Sequence, residues 1–211
     1  RMYPTPSVFE LSASIAKDLQ AGPRAHEPTH PNHVKFRDDL LRQHDVGRIE
    51  DLPFNFIGYA MQQEENFGNA VFDRHYGAVR RQFERQEALQ NSFAILSPFV
   101  AMKALSAALS GTDIAFATDF SQAGETYRRE MIRVLNDDIM RNAVGLTTFS
   151  TEWGYQASAD LWQRIPPFDF DPPPAGTILE RNLVPFALLI VWFAGGILVL
   201  AALARRHPRV A

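Results

Sequence analysis

The chain has 211 residues, 46% of them apolar, a net charge of −3 and no cysteine. That is enough for one domain with a core. Basic residues are scattered through acidic sequence, which excludes a nucleic-acid-binding face, and the lack of cysteine fits an oxidising compartment without disulfides as well as others.

The sequence starts at Arg1 without an initiating Met and carries no signal peptide, so it reads as a piece of a longer protein. Ser7 or Thr5 caps a helix over 7–21, with Val8, Leu11, Ile15 and Leu19 on one face and Gly22-Pro23 as its stop. Residues 22–33 read as a loop, and 32–45 as a second amphipathic helix. A turn with buried aromatics follows at 49–56. From Phe56 to Leu96 no proline occurs, and Ala60, Phe67, Val71, Val79, Phe83, Leu89, Phe93 and Leu96 recur in steps of three and four or their sums. That predicts a helix of roughly 60 Å at 1.5 Å per residue. Ser97-Pro98 opens a short helix over 98–110, closed by Gly111. Thr112 or Asp113 caps another long helix to about Asn142, with a stripe through Phe116, Phe120, Tyr127, Met131 and Ile139. Two long helices joined by a short one predict an antiparallel hairpin. On this reading Phe83 and Phe120 are buried, and truncating either to Ala costs about 3–5 kcal/mol.

From 145 to 182 the pattern breaks down into an irregular connection containing Trp153, Trp162, Phe168, Phe170 and the prolines at 172–174, which favour extended chain. These aromatics fit a membrane interface and core packing equally. Then Leu183 to Ala204 reads LVPFALLIVWFAGGILVLAALA, 22 residues without a charge. At 1.5 Å per residue it covers about 33 Å, the thickness of a bilayer's hydrocarbon, so it predicts a transmembrane helix. The small pair Gly195-Gly196 marks a place for close packing. Three of the 21 basic residues, Arg205, Arg206 and Arg209, follow it with no acid, while the other 18 stand against 24 acids. Basic residues beside a membrane helix prefer the cytoplasm. The expected layout is therefore an extracytoplasmic helical domain over 1–182, a transmembrane helix over 183–204 and a cytoplasmic tail over 205–211. An upstream membrane helix would export the domain. The fold class is all-α, a helical bundle built on a long antiparallel hairpin and followed by one transmembrane helix.

Chemical motifs are few. His26, His30 and His33 form HxxxHxxH, the candidate metal ligands, but Pro28 and Pro31 interrupt the helix that would gather them. Glu64-Glu65 and Asp137-Asp138 are paired carboxylates whose neighbours point about 100° apart on a helix. They read as helix surface and not as an acid–base pair. Asp73, Arg74, His75 and Tyr76 read as a packing or ion-pairing cluster. Ser97, Ser106 and Ser150 lack a nucleophile elbow, and there is no Walker loop or dinucleotide fingerprint. No catalytic residue and no cofactor is expected.

The order of segments resembles one family. Residues 1–7 (Arg-Met-Tyr-Pro-Thr-Pro-Ser) look like the exit from a penultimate membrane helix. Leu96-Ser97-Pro98-Phe99 resembles a Leu-Ser-Pro turn. Leu109-Ser110-Gly111-Thr112-Asp113 resembles an Ala-Gly-Thr-Asp turn, followed by a Phe-containing helix through Phe120 and Tyr127. Pro166-Pro167-Phe168-Asp169-Phe170 resembles a pre-membrane segment, and the last helix with its Arg-rich tail completes the likeness. Together these are similar to the C-terminal end of ABC-2-type permease subunits with a large extracytoplasmic insertion before the last membrane helix. The resemblance implies a non-enzymatic subunit of an ATP-driven transporter in the bacterial inner membrane. It implies a second permease subunit (homo- or heterodimer) and a separate cytoplasmic ABC ATPase subunit as the site of ATP hydrolysis, with the outer domain gating the exit, contacting a periplasmic protein or holding the dimer together. From the residues alone, a membrane-anchored extracytoplasmic scaffold or sensor that binds a soluble partner is the other reading.

Overall fold

The computed structural model describes residues 5–145 and 155–206. Among them there are eight α-helices and no strands: α1 (Val8–Leu19), α2 (Pro31–His44), α3 (Phe56–Ser92), α4 (Pro98–Leu109), α5 (Ile114–Asn142), α6 (Asp160–Gln163), α7 (Ala175–Arg181) and α8 (Leu183–Arg206). The fold is all-α. It divides into two compact units, one made of 5–80, 124–145 and 155–169, the other of 81–123 and 170–206.

The first unit is the better packed. Ser7 caps α1 and forms a capping box with Glu10, so two backbone N–H groups at the helix start are satisfied by side chains. His30 caps α2 with Pro31 in its first turn, and α2 ends on Asp45 in the left-handed conformation (φ 53°). A core of Ala25, Leu40, Leu52, Phe56, Ile57 and Ala60 fills the space between α2 and α3. An aromatic row of Phe36, Tyr59 and Phe54 covers it, with ring centres 5.9 and 5.0 Å apart.

The start of α3 runs antiparallel to the end of α5. Gln62 meets Asn136, Glu65 and Asn69 meet Arg128, and Asp73 meets Arg129, so residue numbers rise on one helix as they fall on the other. The closest approach is at Gly58, where a Cβ would stand 2.8 Å from the Met140 nitrogen and 3.0 Å from the Asn136 carbonyl. Only glycine lets the two backbones meet there. Asn55 locks the crossing. Its amide N–H donates to the Met140 carbonyl at 2.8 Å and its side-chain N–H to the Ala143 carbonyl at 2.5 Å, while its Oδ1 accepts from the Gly58 N–H and caps α3.

In the second unit α4 packs on α8, on α7 and on the 3-10 turn Phe93–Ile95. Gly111 (φ 66°) ends α4: its N–H donates to the Ala108 carbonyl and the Thr112 N–H to the Ala107 carbonyl, a Schellman closure. Asp113 then caps α5 by accepting from the Phe116 N–H at 2.8 Å. Phe170 stands edge-on to both Phe116 and Phe120, and Arg181 pairs with Asp119 at 2.5 Å.

Two sequence expectations change here. Phe83 and Phe120 are 42% and 49% exposed, because the apolar stripes of α3 and α5 are only partly covered within this second unit. Their truncation therefore lacks the cavity that a 3–5 kcal/mol loss requires. The irregular stretch 145–182 also contains α6 and α7. α7 follows three prolines, and its Gly176 and Thr177 are poor helix formers, so composition conceals it. Phe170 is half-buried against Phe116 and Phe120 of α5, while Phe168 touches Tyr127 and stays 38% exposed, so only Phe170 leans toward core packing. Trp162 is 62% exposed, and Trp153 lies outside the described residues.

Candidate functional site

Two features of the molecule exceed what folding alone requires. The first is a polar seam and cavity in the first unit, and the second is an apolar face in the other.

The seam follows the α3–α5 contact. Arg128 lies 2.6 Å from Glu65, 2.7 Å from Glu125 and 2.6 Å from Asn69. Arg129 bridges Glu125 at 2.8 Å and Asp73 at 2.6 Å. On the α1 side, Asp18 accepts from His75 at 2.9 Å and from Arg74 at 3.2 Å. The expected ion-pairing role of Asp73, Arg74 and His75 is thereby met. Glu125 is the pivot. Hydrogen bonds from Arg128 lower its carboxyl most, burial opposes them, and Arg129 lowers it further, to about 2 from the ordinary 4.5. Because the folded value lies below the ordinary one, ionised Glu125 stabilises the fold above pH 4.5, and that contribution is lost as pH falls toward 2. We expect Glu125→Gln to flatten the loss of thermal stability between those two pH values. Superimposable acid limbs for the variant and the natural chain would show that the pair contributes nothing.

A cavity of about 730 Å³ opens beside this seam. Its walls come from Leu19 of α1, His26, Met61 and Gly68 of α3, Ile132 and Leu135 of α5, and Tyr155, Ala157 and Leu161. Glu64, Glu65, Asn136 and Asp138 add polar groups. The carboxylates among them are committed elsewhere. Glu64 accepts from the Ala25 N–H at 2.9 Å. The buried Glu65 oxygen has no well-aligned hydrogen bond and is compensated by the Arg128 guanidinium beside it. Asp138 is only 5% exposed and is held by the Tyr155 hydroxyl, by Arg164 at 2.5 Å and by Asn142 at 3.0 Å. Burial raises its carboxyl, and the hydrogen bonds from Tyr155 and Arg164 outweigh burial and leave it below the usual range. Asp138 thus corrects the surface reading of Asp137-Asp138. Its partners Tyr155 and Arg164 lie 17 and 26 residues away in irregular chain, and no helical periodicity points to them.

The candidate metal ligands are dispersed among other tasks. His30 accepts from the Asn32 N–H as the α2 cap. His33 is buried, its Nδ1 2.6 Å from the Arg24 carbonyl and its ring edge-on to Phe56. His26 lines the cavity. Among the described residues no three His, Asp or Glu side chains gather as they would around an ion.

The second feature is apolar. By length and composition two stretches suffice to cross a membrane, Pro98–Asn142 and Leu183–Arg206. The first is two helices, α4 and α5, parted at 110–113, and α5 carries Asp119, Glu125, Arg128 and Arg129. The second is one unbroken helix of 24 residues. On α8 only Pro185 is buried and Leu188 and Leu189 are half-buried, while every residue from Ile190 to Arg206 is exposed. A Cβ at Gly195 or Gly196 would meet nothing within 4 Å.

The profile of one family matches the chain, over residues 9–171: Domain of unknown function (DUF3526). No curated protein and no solved structure matches it.

Proposed function

We propose that the chain, which belongs to the DUF3526 family by that match, forms the C-terminal part of the membrane-spanning permease subunit of an ATP-driven ABC-2-type transporter. α8 is then its last membrane helix. One observation carries the reading: the second half of α8, Phe193–Ala204, is apolar and bare on every side. A bare apolar helix of this length is unstable in water and stable in a bilayer or among other membrane helices. The order of turns around Leu96-Ser97-Pro98 and Gly111-Thr112-Asp113 supports the transporter class.

In this reading residues 1–182 belong to the extracytoplasmic side of a bacterial cytoplasmic membrane and serve gating, dimer or partner contacts. The ATP chemistry belongs to a separate cytoplasmic subunit, which is consistent with cavity carboxylates that are tied to Arg, Tyr or backbone partners. The chain has no cysteine, so a single introduced cysteine reports its own side of the membrane. Thr126 on α5 is exposed, and Thr126→Cys is expected to react with an impermeant maleimide on cells with an opened outer membrane. Arg206→Cys is expected to react only after lysis. The reverse pattern would invert the topology. Purification of the membrane complex in mild detergent is expected to bring an ATPase subunit with it. Correct sidedness without an ATPase would leave the anchored scaffold as the better account.

A further inference from the structure

The turn between α3 and α4 sits beside α8 at a depth that the α8 sequence fixes. Trp192 Nε1 donates to the Ala94 carbonyl at 3.2 Å. Trp192 is nine residues inside the charge-free run that starts at Leu183. If the span is shortened to the roughly 20 residues a bilayer needs and ends at Ala204, Trp192 is still about seven residues inside. At 1.5 Å per residue, Ala94 lies about 10–13 Å below the start of the span. α4 then returns alongside α8, since it also touches α7, which precedes α8.

We infer that residues 93–102 form a tip inserted in the bilayer beside α8, with lipid acyl chains as its occupant. This rests on the reading of α8 as a membrane span. Three further observations fit that occupant. First, the tip exposes large apolar side chains: Phe93 53%, Ile95 64%, Leu96 73%, Phe99 64% and Met102 53%. Second, residues 88–112 carry one charge, Lys103. Its four-carbon stem lies partway back along α4, where a lysine reaches the headgroups while its backbone stays in hydrocarbon. Glu87, the last charge before the tip, is six residues from Phe93, about 9 Å of helix. Third, the turn ties part of its backbone to itself and to α8. The N–H groups of Leu96 and Ser97 both donate to the Phe93 carbonyl, that of Val100 to the Ser97 carbonyl, and the Ser92 hydroxyl to the Leu89 carbonyl. The Ala94 carbonyl takes the Trp192 N–H. Non-helical chain at membrane depth needs its polar groups paired or covered by protein, and the turn packs on α8 and α4.

The test uses the full chain in phosphatidylcholine–phosphatidylglycerol vesicles. Leu96→Cys and Phe99→Cys at the tip, and Leu198→Cys on α8, each carry an environment-sensitive fluorophore. Doxyl-labelled lipids are expected to quench most of the emission at all three positions, and aqueous iodide little of it. Quenching at Leu198 by doxyl lipid with quenching at Leu96 and Phe99 by iodide would overturn the inserted tip while leaving α8 as a span. Tip labels shielded from both quenchers would mean a protein cover and would overturn it equally. A Leu198 label quenched by iodide would overturn the span itself. All three positions are exposed, so labelling disturbs no packing.

Discussion

Asn55→Ala is expected to cost about 3 kcal/mol of stability, the largest loss of any single side chain in the α3–α5 crossing. The residue is 1% exposed and makes two separable contributions. As the cap of α3 its Oδ1 takes the Gly58 N–H at 3.0 Å, and losing such a cap costs about 1 kcal/mol. Its side-chain N–H holds the Ala143 carbonyl, 88 positions away. Ala143 is 1% exposed, so water does not replace the lost donor, and an orphaned buried carbonyl costs about 1–3 kcal/mol. Asn55→Ser separates the two. A serine hydroxyl caps the helix and does not reach Ala143, so its cost should be near 2 kcal/mol, roughly the orphan alone. Thermal or urea unfolding of the chain in detergent reads both. An alanine loss below about 1 kcal/mol, or equal losses for the two variants, would show that water or a shifted backbone satisfies the Ala143 carbonyl.

The helices were legible in the sequence wherever a cap and a stripe coincided. Ser7, Pro98, Gly111 and Asp113 mark helix ends within a residue or two of where they fall, because each carries a local chemical reason to start or stop a helix. The α8 helix, long and apolar enough to cross a membrane, was legible from length and lack of charge alone. The burial of particular stripe residues was not. Val71 is 1% exposed and Phe83, at equivalent spacing, is 42% exposed. Periodicity identifies a face, and tertiary contact decides how much of that face is covered. Phe83 lies in the unit whose apolar surfaces are largely uncovered, and composition does not mark that difference.

The candidate site was less legible, for the same physical reason at longer range. The salt-bridge seam was half visible in the cluster at 73–76, but its partners Arg128 and Arg129 lie 56 positions away or more. Asp138 shows the limit most clearly. On sequence it is one of two adjacent acids on a helix surface. In the fold its neighbour Asp137 makes an ordinary i,i+4 pair with Arg141, while Asp138 turns inward to Tyr155 and Arg164. Those partners belong to irregular chain that has no period to extrapolate. Nothing in the sequence separates Gly58 from other positions of a long helix, although its missing side chain sets the distance between α3 and α5.

Phe193→Arg is expected to lower membrane insertion of α8 by about 3 kcal/mol, roughly 100-fold or more in the insertion equilibrium. Phe193 stands at the midpoint of the charge-free run and is 73% exposed. Exposure makes this substitution decisive. On a surface that faces water, an exposed Phe→Arg change stays within about 0.5 kcal/mol. On a surface that faces hydrocarbon, the arginine must stay near the bilayer centre or drag water and headgroups inward, and insertion scales put that at about 2.5–3.5 kcal/mol. Tyr76→Arg on α3, a similarly exposed aromatic at 55%, supplies the contrast and should leave insertion unchanged. The measurement is the inserted fraction in microsomes, read from glycosylation acceptor sites placed on either side of α8. Equal insertion for Phe193→Arg and the natural chain would remove lipid from the surroundings of that residue. It would leave either water or a polar protein partner against the bare half of α8, and both the permease reading and the inserted tip at 93–102 would fall with it.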